Sequence, residues 1–308
     1  MVEPVRATWH SSRKAAEIEG WVGPMDEQEI IEEAPPTGDL LTSPEIYVEI
    51  AREGIEEMAR PSVSLFWSAI AAGFLISFSL LFKAVLNVET QGIPAGHAIE
   101  SLGYTFGFIV VIYSRLQLFT ENTITPVLPT VVTPSARNIG NLSRVWSISL
   151  TANLVGTGLM ALLFAKSSMA TPETLQAMID ISKKVADLGF MESFVKGLPS
   201  GLLIAALVWM RPSSGESFLG LILLVTYVIG VAGFTHVVVG SCEMFLLAWS
   251  GERALGDLAL NSILPTLIGN IIGGTVLFAL IAWAQIRREL RATIEKLRDE
   301  ARTRISLP

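Results

Sequence analysis

The sequence predicts an all-α integral membrane protein with six transmembrane helices in a 3+3 arrangement. Three observations carry this. The 308-residue chain is 51% hydrophobic, with a mean hydropathy of +0.52. Only 17% of its residues are charged, and they gather at the two ends. Six apolar segments follow one another between residues 63 and 283, and the second and fifth are overlong and interrupted by polar residues. This profile excludes a pair of soluble domains. The net charge of −7 stems from an acidic excess before residue 60, and no basic face suits nucleic acid. No signal peptide with a basic start and an apolar core opens the chain. The lone Cys242 excludes an intramolecular disulfide.

Residues 1–42 are polar, acidic and rich in proline, which predicts a disordered N-terminal tail. Ser43-Pro44-Glu45 is a helix start, and Ile46, Ile50, Gly54 and Met58 recur every four residues. The spacing predicts an amphipathic helix over 43–61, lying along the cytoplasmic surface. A six-helix membrane domain over 62–286 follows. Its segments are Val63–Leu86, Leu102–Val132, Val145–Ala165, Phe190–Met210, Phe218–Trp249 and Ile263–Trp283. The fifth, taken as one straight helix, would run about 48 Å against a hydrocarbon core of about 30 Å. Residues 287–308 read as a charged cytoplasmic helix.

Arginines at 52, 60, 137, 144, 211, 287, 288 and 291 fall at alternate connections, which places both termini in the cytoplasm. The chain also repeats itself at offsets near 120 residues. "AGFLI" (72–76) returns as "SGLLI" (200–204), "LFTEN" (118–122) as "GFTHV" (233–237), and "ANLVGTGL" (152–159) as "GNIIGGTV" (269–276). Three helices repeated give halves of opposite orientation. In such inverted repeats, interrupted helices in matching positions mark the solute pathway, because irregular backbone survives in a membrane only where it lines a cavity or is buried.

Leu118-Phe119-Thr120, Gly233-Phe234-Thr235-His236, and Gly269-Asn270 with Gly273-Gly274 stand in order in segments two, five and six. With Asn153 and Gly156 in segment three, these motifs resemble the formate/nitrite transporter family over about residues 45–286. "LFTEN" and "THVVVGSCE" look most like its YfdC-type branch. The resemblance implies an aquaporin-like fold, a homopentamer with one pore per protomer, and passage of small monovalent anions or weak acids, with or without a proton. It implies Thr120 and His236 in a chamber between two constrictions, Tyr104 and Ile229 on the outer side and Phe108, Leu118 and Phe119 on the inner side. Asn270 would bond near the histidine. Three well-separated histidines and one cysteine offer no metal site or catalytic triad, so no enzyme activity, metal or cofactor is expected, nor a nucleic-acid partner; contact with lipid and residence in a bacterial inner membrane are expected.

Departures from the family pattern stand at Arg115, Gln117, Glu121, Thr235, Gly240 and Glu243. The family lysine ahead of segment four has three candidates, Lys183, Lys184 and Lys196. A buried histidine that titrates near neutrality suits proton exchange with a weak acid, although a structural histidine bonding a carbonyl fits the residue too. Thr120 fits a turn cap as well as a ligand, and Tyr104, Phe108 and Phe119 fit plain packing. Arg115, Glu121 and Glu243 are expected to form a buried polar brace near the pore, with Arg115 bonded to one of the two acids. The other function this sequence allows is a non-transporting scaffold or sensor whose pore these three charges close.

Overall fold

The computed structural model describes residues 41–290 and 293, so the expected tail and the charged C-terminal helix fall almost wholly outside them. Ten helices, α1–α10, make up the described chain. Helix α1 (Ser43–Ala59) starts on a capping box, with Glu45 reaching back to the Thr42 N–H at 2.8 Å. Its Ile46, Ile50, Gly54 and Met58 are buried, as the fourfold spacing requires, and so is Tyr47. They pack against the protein itself rather than along a free surface: the Tyr47 hydroxyl donates to the Leu128 carbonyl at 2.8 Å. Arg144 closes the far end of α1 with bonds to the Met58 and Arg60 carbonyls.

Helix α2 (Ser62–Glu89) bends at Ser77, whose hydroxyl bonds the Gly73 carbonyl at 2.7 Å. Helix α3 (Gly96–Tyr113) ends early, and helical backbone resumes as a single turn at Glu121–Thr123 and as the short α4 (Val127–Val132). Helix α5 (Ala136–Lys166) is continuous, capped by Ser135. Helix α7 (Gly189–Met210) follows, then α8 (Phe218–Val231) and α9 (Val237–Trp249) with five residues between them. Helix α10 (Leu255–Ile286) is longer than its apolar segment and widens into π-helical turns at Ala259–Ile263 and Ile272–Leu280. Among the described residues, four helices are long and apolar enough to cross a membrane: α2, α5, α10 and the stretch Gly189–Ser213.

One element was not expected. Helix α6 (Pro172–Ala186), capped by Thr171, buries Met178 and Ile181 against α2 and α9. Thr-Pro-Glu at 171–173 is an N-terminus signature that announced it.

Two helix pairs set the backbone spacing of the bundle. A Cβ on Gly156 of α5 would sit 2.6 Å from the Ile70 carbonyl oxygen of α2, and one on Gly273 of α10 would overlap the Leu198 carbonyl of α7. Close approach of helices in lipid needs such small residues.

Candidate pore site

The site lies where the two interrupted segments meet. Each interruption begins alike. At the end of α3 the chain turns left-handed at Arg115 (φ 54°), and Leu116 N–H returns to the Val111 carbonyl. At the end of α8 it turns left-handed at Gly233 (φ 65°), and Phe234 N–H returns to the Ile229 carbonyl. Both are Schellman-type helix ends, which glycine makes without strain and arginine does not.

An asparagine from a neighbouring helix then holds each extended stretch. Asn153 Oδ1 accepts from Phe119 N–H at 2.9 Å, while its Nδ2 donates to the Gln117 carbonyl at 3.0 Å and the Ala69 carbonyl at 2.8 Å. Asn270 Oδ1 accepts from Val237 N–H at 2.8 Å, while its Nδ2 donates to the Thr235 carbonyl at 3.0 Å and the Gly197 carbonyl at 2.9 Å. The amide satisfies backbone groups that an open helix leaves unpaired in the interior. These bonds correct the register read from the sequence. Gln117-Leu118-Phe119 corresponds to Thr235-His236-Val237, so Leu118, not Glu121, occupies the place of the histidine.

His236 is 2% exposed and caps α9. Val239 N–H donates to its Nδ1 at 3.3 Å, so that nitrogen carries no hydrogen. The neutral ring therefore holds its hydrogen on Nε2 and donates it to Thr120 Oγ1, 2.8 Å away. Thr120 is fully buried, and its own hydroxyl hydrogen is left to donate elsewhere. Among the described residues this bond is the direct side-chain link between the two interruptions.

The aromatics pack around that pair. The Phe108 ring meets the His236 ring edge-on at 5.0 Å, Tyr104 lies 5.4 Å from Phe108, and Phe119 lies 6.0 Å from Trp146. Tyr104, Phe108, Leu118, Phe119 and Ile229 share one apolar cluster, all buried. A cavity of about 50 Å³ opens on one side of His236, lined by Lys83, Tyr104, Ile229, Thr235 and Glu243 among others. Of the residues expected along the pathway or in the brace, His236, Tyr104, Ile229 and Glu243 line it. Thr120, Asn270, Phe108, Leu118 and Phe119 do not.

Arg115 makes no ion pair within 4 Å with Glu121 or Glu243, the bond the expected brace called for, and acts on Glu121 only at longer range. Arg115 is 69% exposed at its side chain and pairs at 3.7 Å with Glu53 of α1. A left-handed residue at a helix end points away from the axis, and this one points to α1. Glu53 also pairs with Arg211. Glu121 has no ion pair among the described residues, and Glu243 faces the cavity. Beside Glu53, Glu57 accepts from the Thr125 hydroxyl at 2.6 Å and from Gln117 Nε2 at 3.3 Å. Burial pushes the Glu57 carboxyl up, partly offset by these two bonds. Glu53, Glu57 and Lys83 escaped the sequence reading as site residues, since nothing in α1 or α2 marks which neighbour each will meet, and Arg211 was read only for topology. Asn153 as the twin of Asn270 was visible, 117 residues before it. Of the three candidate lysines, Lys196 accepts from Thr235 N–H through its carbonyl, while its ammonium pairs with Glu192 at 2.9 Å.

Long apolar helices thus surround two interrupted segments that are joined by a buried Thr–His bond and lie beside a small cavity. The family profile described as "Formate/nitrite transporter" matches residues 44–284. The chain belongs to that family. It is 42% identical over 257 residues to "Inner membrane protein YfdC" of Escherichia coli, covering 83% of this chain and 82% of that one. It is 26% identical over 280 residues to "Formate channel FocA" of Escherichia coli, covering 82% and 96%. A solved structure described as "Pentameric formate channel with formate bound" superposes with a TM-score of 0.61 at 19% identity, covering 72% of this chain and 96% of the other. That likeness speaks to the fold.

Proposed function

We propose that this chain moves a small monovalent anion, or its neutral weak acid, through a pore that passes beside the bonded pair Thr120 and His236. Six spans, in two groups of three with opposite orientation, enclose it, and the second and fifth are the interrupted ones. Five copies assemble, as in the related formate channel, each with its own pore, in an inner membrane with both termini in the cytoplasm. The observation that supports this best is the Thr120–His236 bond. With its oxygen occupied by the imidazole N–H, the Thr120 hydroxyl offers its own hydrogen to a carboxylate or nitrite oxygen. Phe108, Leu118 and Phe119 close the path on one side and Tyr104 and Ile229 on the other. A bare anion there would be costly to desolvate, which favours taking a proton along.

Uptake of formate and nitrite into proteoliposomes, with and without an inward-acid pH gradient, tests the reading. One anion crossing with one proton carries no net charge, so uptake should rise with the gradient and leave the membrane potential unmoved. Absence of uptake of any small acid or anion would refute it. The scaffold reading relied on three charges closing the pore, and Arg115 is directed to α1 instead. A native mass of one or two protomers would refute the five-fold assembly.

A further inference from the structure

The helix that leads into the second interruption is held at its end by a histidine from another helix. Helix α8 stops at Val231, and its last carbonyls have no continuing turn to bond them. The N–H groups of Ala232, Gly233 and Phe234 return to the carbonyls of Val228, Gly230 and Ile229. The Val231 carbonyl receives no such backbone bond among the described residues. It faces Nε2 of His97 instead, 3.1 Å away in the first turn of α3. The other ring nitrogen, Nδ1, lies 3.0 Å from Oε1 of Glu100, one turn on in the same helix. Glu100 is 6% exposed, and its other oxygen accepts from Asn87 Nδ2 of α2. The His97 side chain is 62% exposed, so water reaches it. The residues it steadies lie beside the cavity. Ile229, Gly230 and Gly233 line that cavity, and a Cβ on Gly230 would sit 3.2 Å from Tyr104 of α3.

Two acceptors facing one imidazole decide where its hydrogens must be. A carbonyl oxygen only accepts, and so does an ionised carboxylate. A neutral ring has a single N–H, so it bonds either Val231 or Glu100 and turns a lone pair on the other. With a hydrogen on each nitrogen it bonds both, and both bonds are charge-assisted. We propose that His97 is a positioning residue for the second interruption: as an imidazolium it ties the end of α8 to Glu100 of α3, and it gives up one of the two bonds when it loses its proton. It acts through the Val231 carbonyl, three residues before Phe234 and five before His236. The cavity is seen with both bonds made, so loss of the tie lowers flux. The bearing on flux rests on the transport reading above; the tie itself does not. Few charged or titratable groups surround it. From α2, Lys83 acts on Glu100 at longer range, and Glu89 makes no ion pair within 4 Å with His97. Helix α3 adds Tyr104, and α8 offers Tyr227 and no charged side chain. His236 serves the same interruption but is buried and bonded to Thr120, so the two histidines answer to different surroundings.

Amide hydrogen exchange of the full chain in proteoliposomes tests the tie at about pH 5.5 and about pH 8, either side of the range in which histidine side chains change charge. Rates are corrected for the intrinsic effect of pH, and the pH is the same on both sides of the membrane. In the unaltered protein the amides of residues 232–235 should exchange about tenfold faster at the higher pH, the scale of one hydrogen bond to a charged group. His97→Ala should show the faster exchange at both values. Glu100→Gln gives the opposite result. Its amide oxygen accepts from Asn87 and its amide nitrogen donates to Nδ1, so a neutral His97 keeps its bond to Val231 and exchange stays slow at both values. Formate flux through Glu100→Gln, divided by that of the unaltered protein at the same pH, should rise about threefold or more from the lower to the higher pH. Protonation of the solute is common to both proteins and cancels in that ratio. An exchange step that persists in His97→Ala, or exchange in Glu100→Gln that matches the unaltered protein at the higher pH, would overturn the inference and leave the transport reading standing. An unchanged flux ratio would overturn the role of His97 in transport. If exchange behaves as expected but no formate crosses in any of the three proteins, the tie stands and the transport reading falls.

Discussion

The two interrupted segments begin with the same device and are then used differently. After Arg115 the chain takes eleven residues to resume as the six-residue α4, and α1 lies over the interruption. After Gly233 it takes three residues to start the thirteen-residue α9, and a cavity lies beside it instead. The first break spends its polar side chains on closing itself. Asn122 bonds Gln117 and Ser149, Trp146 bonds the Asn122 carbonyl, and Thr125 bonds Glu57. Beside the second, Glu243 and Ser262 line a cavity, and the Ser262 hydroxyl has no partner. Similar backbone solutions therefore do not imply similar roles. One break is clamped around Thr120, and the other lies beside a cavity.

The largest effect should come from the asparagines. Asn153→Ala and Asn270→Ala each remove three buried bonds, worth together about 2–4 kcal/mol even at the modest values found in membranes. Thermal melts in detergent should fall by similar amounts for both. A loss confined to one would break the equivalence of the two stretches.

Gly54→Ala should act on the first break alone. A Cβ on Gly54 overlaps the Thr125 carbonyl, so α1 must lift, at a cost of about 1–3 kcal/mol. Faster amide exchange across residues 43–59, with little change in α9, is the expected readout.

The left-handed positions give a smaller, opposed pair. Gly233→Ala should destabilise by about 1–2 kcal/mol, the cost of a side chain in that conformation. Arg115→Gly relieves the same strain and loses only an exposed ion pair worth about 0–1 kcal/mol, so its melting temperature should hold or rise. Equal losses in both would show that Arg115 is held for its charge.

The smallest effect concerns pH. The Glu57 carboxyl is raised by burial, so the folded chain binds that proton more tightly than the unfolded one. Its contribution is full below the ordinary carboxylate value and is lost as pH rises through the raised one. Protection of α1 from protease should weaken over that interval, and Glu57→Gln should flatten the change.

Part of this was legible in the sequence. Apolar length located the long helices, and polar residues inside the second and fifth segments pointed to interruptions, but nothing marked Arg115 as the place where the first begins. The 117-residue recurrence of Asn153 and Asn270 marked the two anchors. The register between the breaks was misread because Phe-Thr occurs in both, whereas the repeated feature is a set of backbone bonds that takes Leu118 and His236 equally. The partner of Arg115 was misread because position along a segment does not determine which way a helix-ending side chain turns. Glu53 lies 62 residues away on a helix expected to rest on the membrane surface. Lys83 was hidden for the same reason, since the cavity it faces is built from helices distant in sequence.

The central claim is that Thr120 and His236 act as one unit on the permeating solute. The direct measurement is formate flux in proteoliposomes for Thr120→Val, His236→Asn and the double variant. Asparagine still caps α9 in place of the imidazole, so the helix start survives. The account expects each single change to cut flux about tenfold or more and the double change to cut it no further, as for residues in contact. Losses that multiply in the double variant, or flux unchanged in either single one, would contradict it.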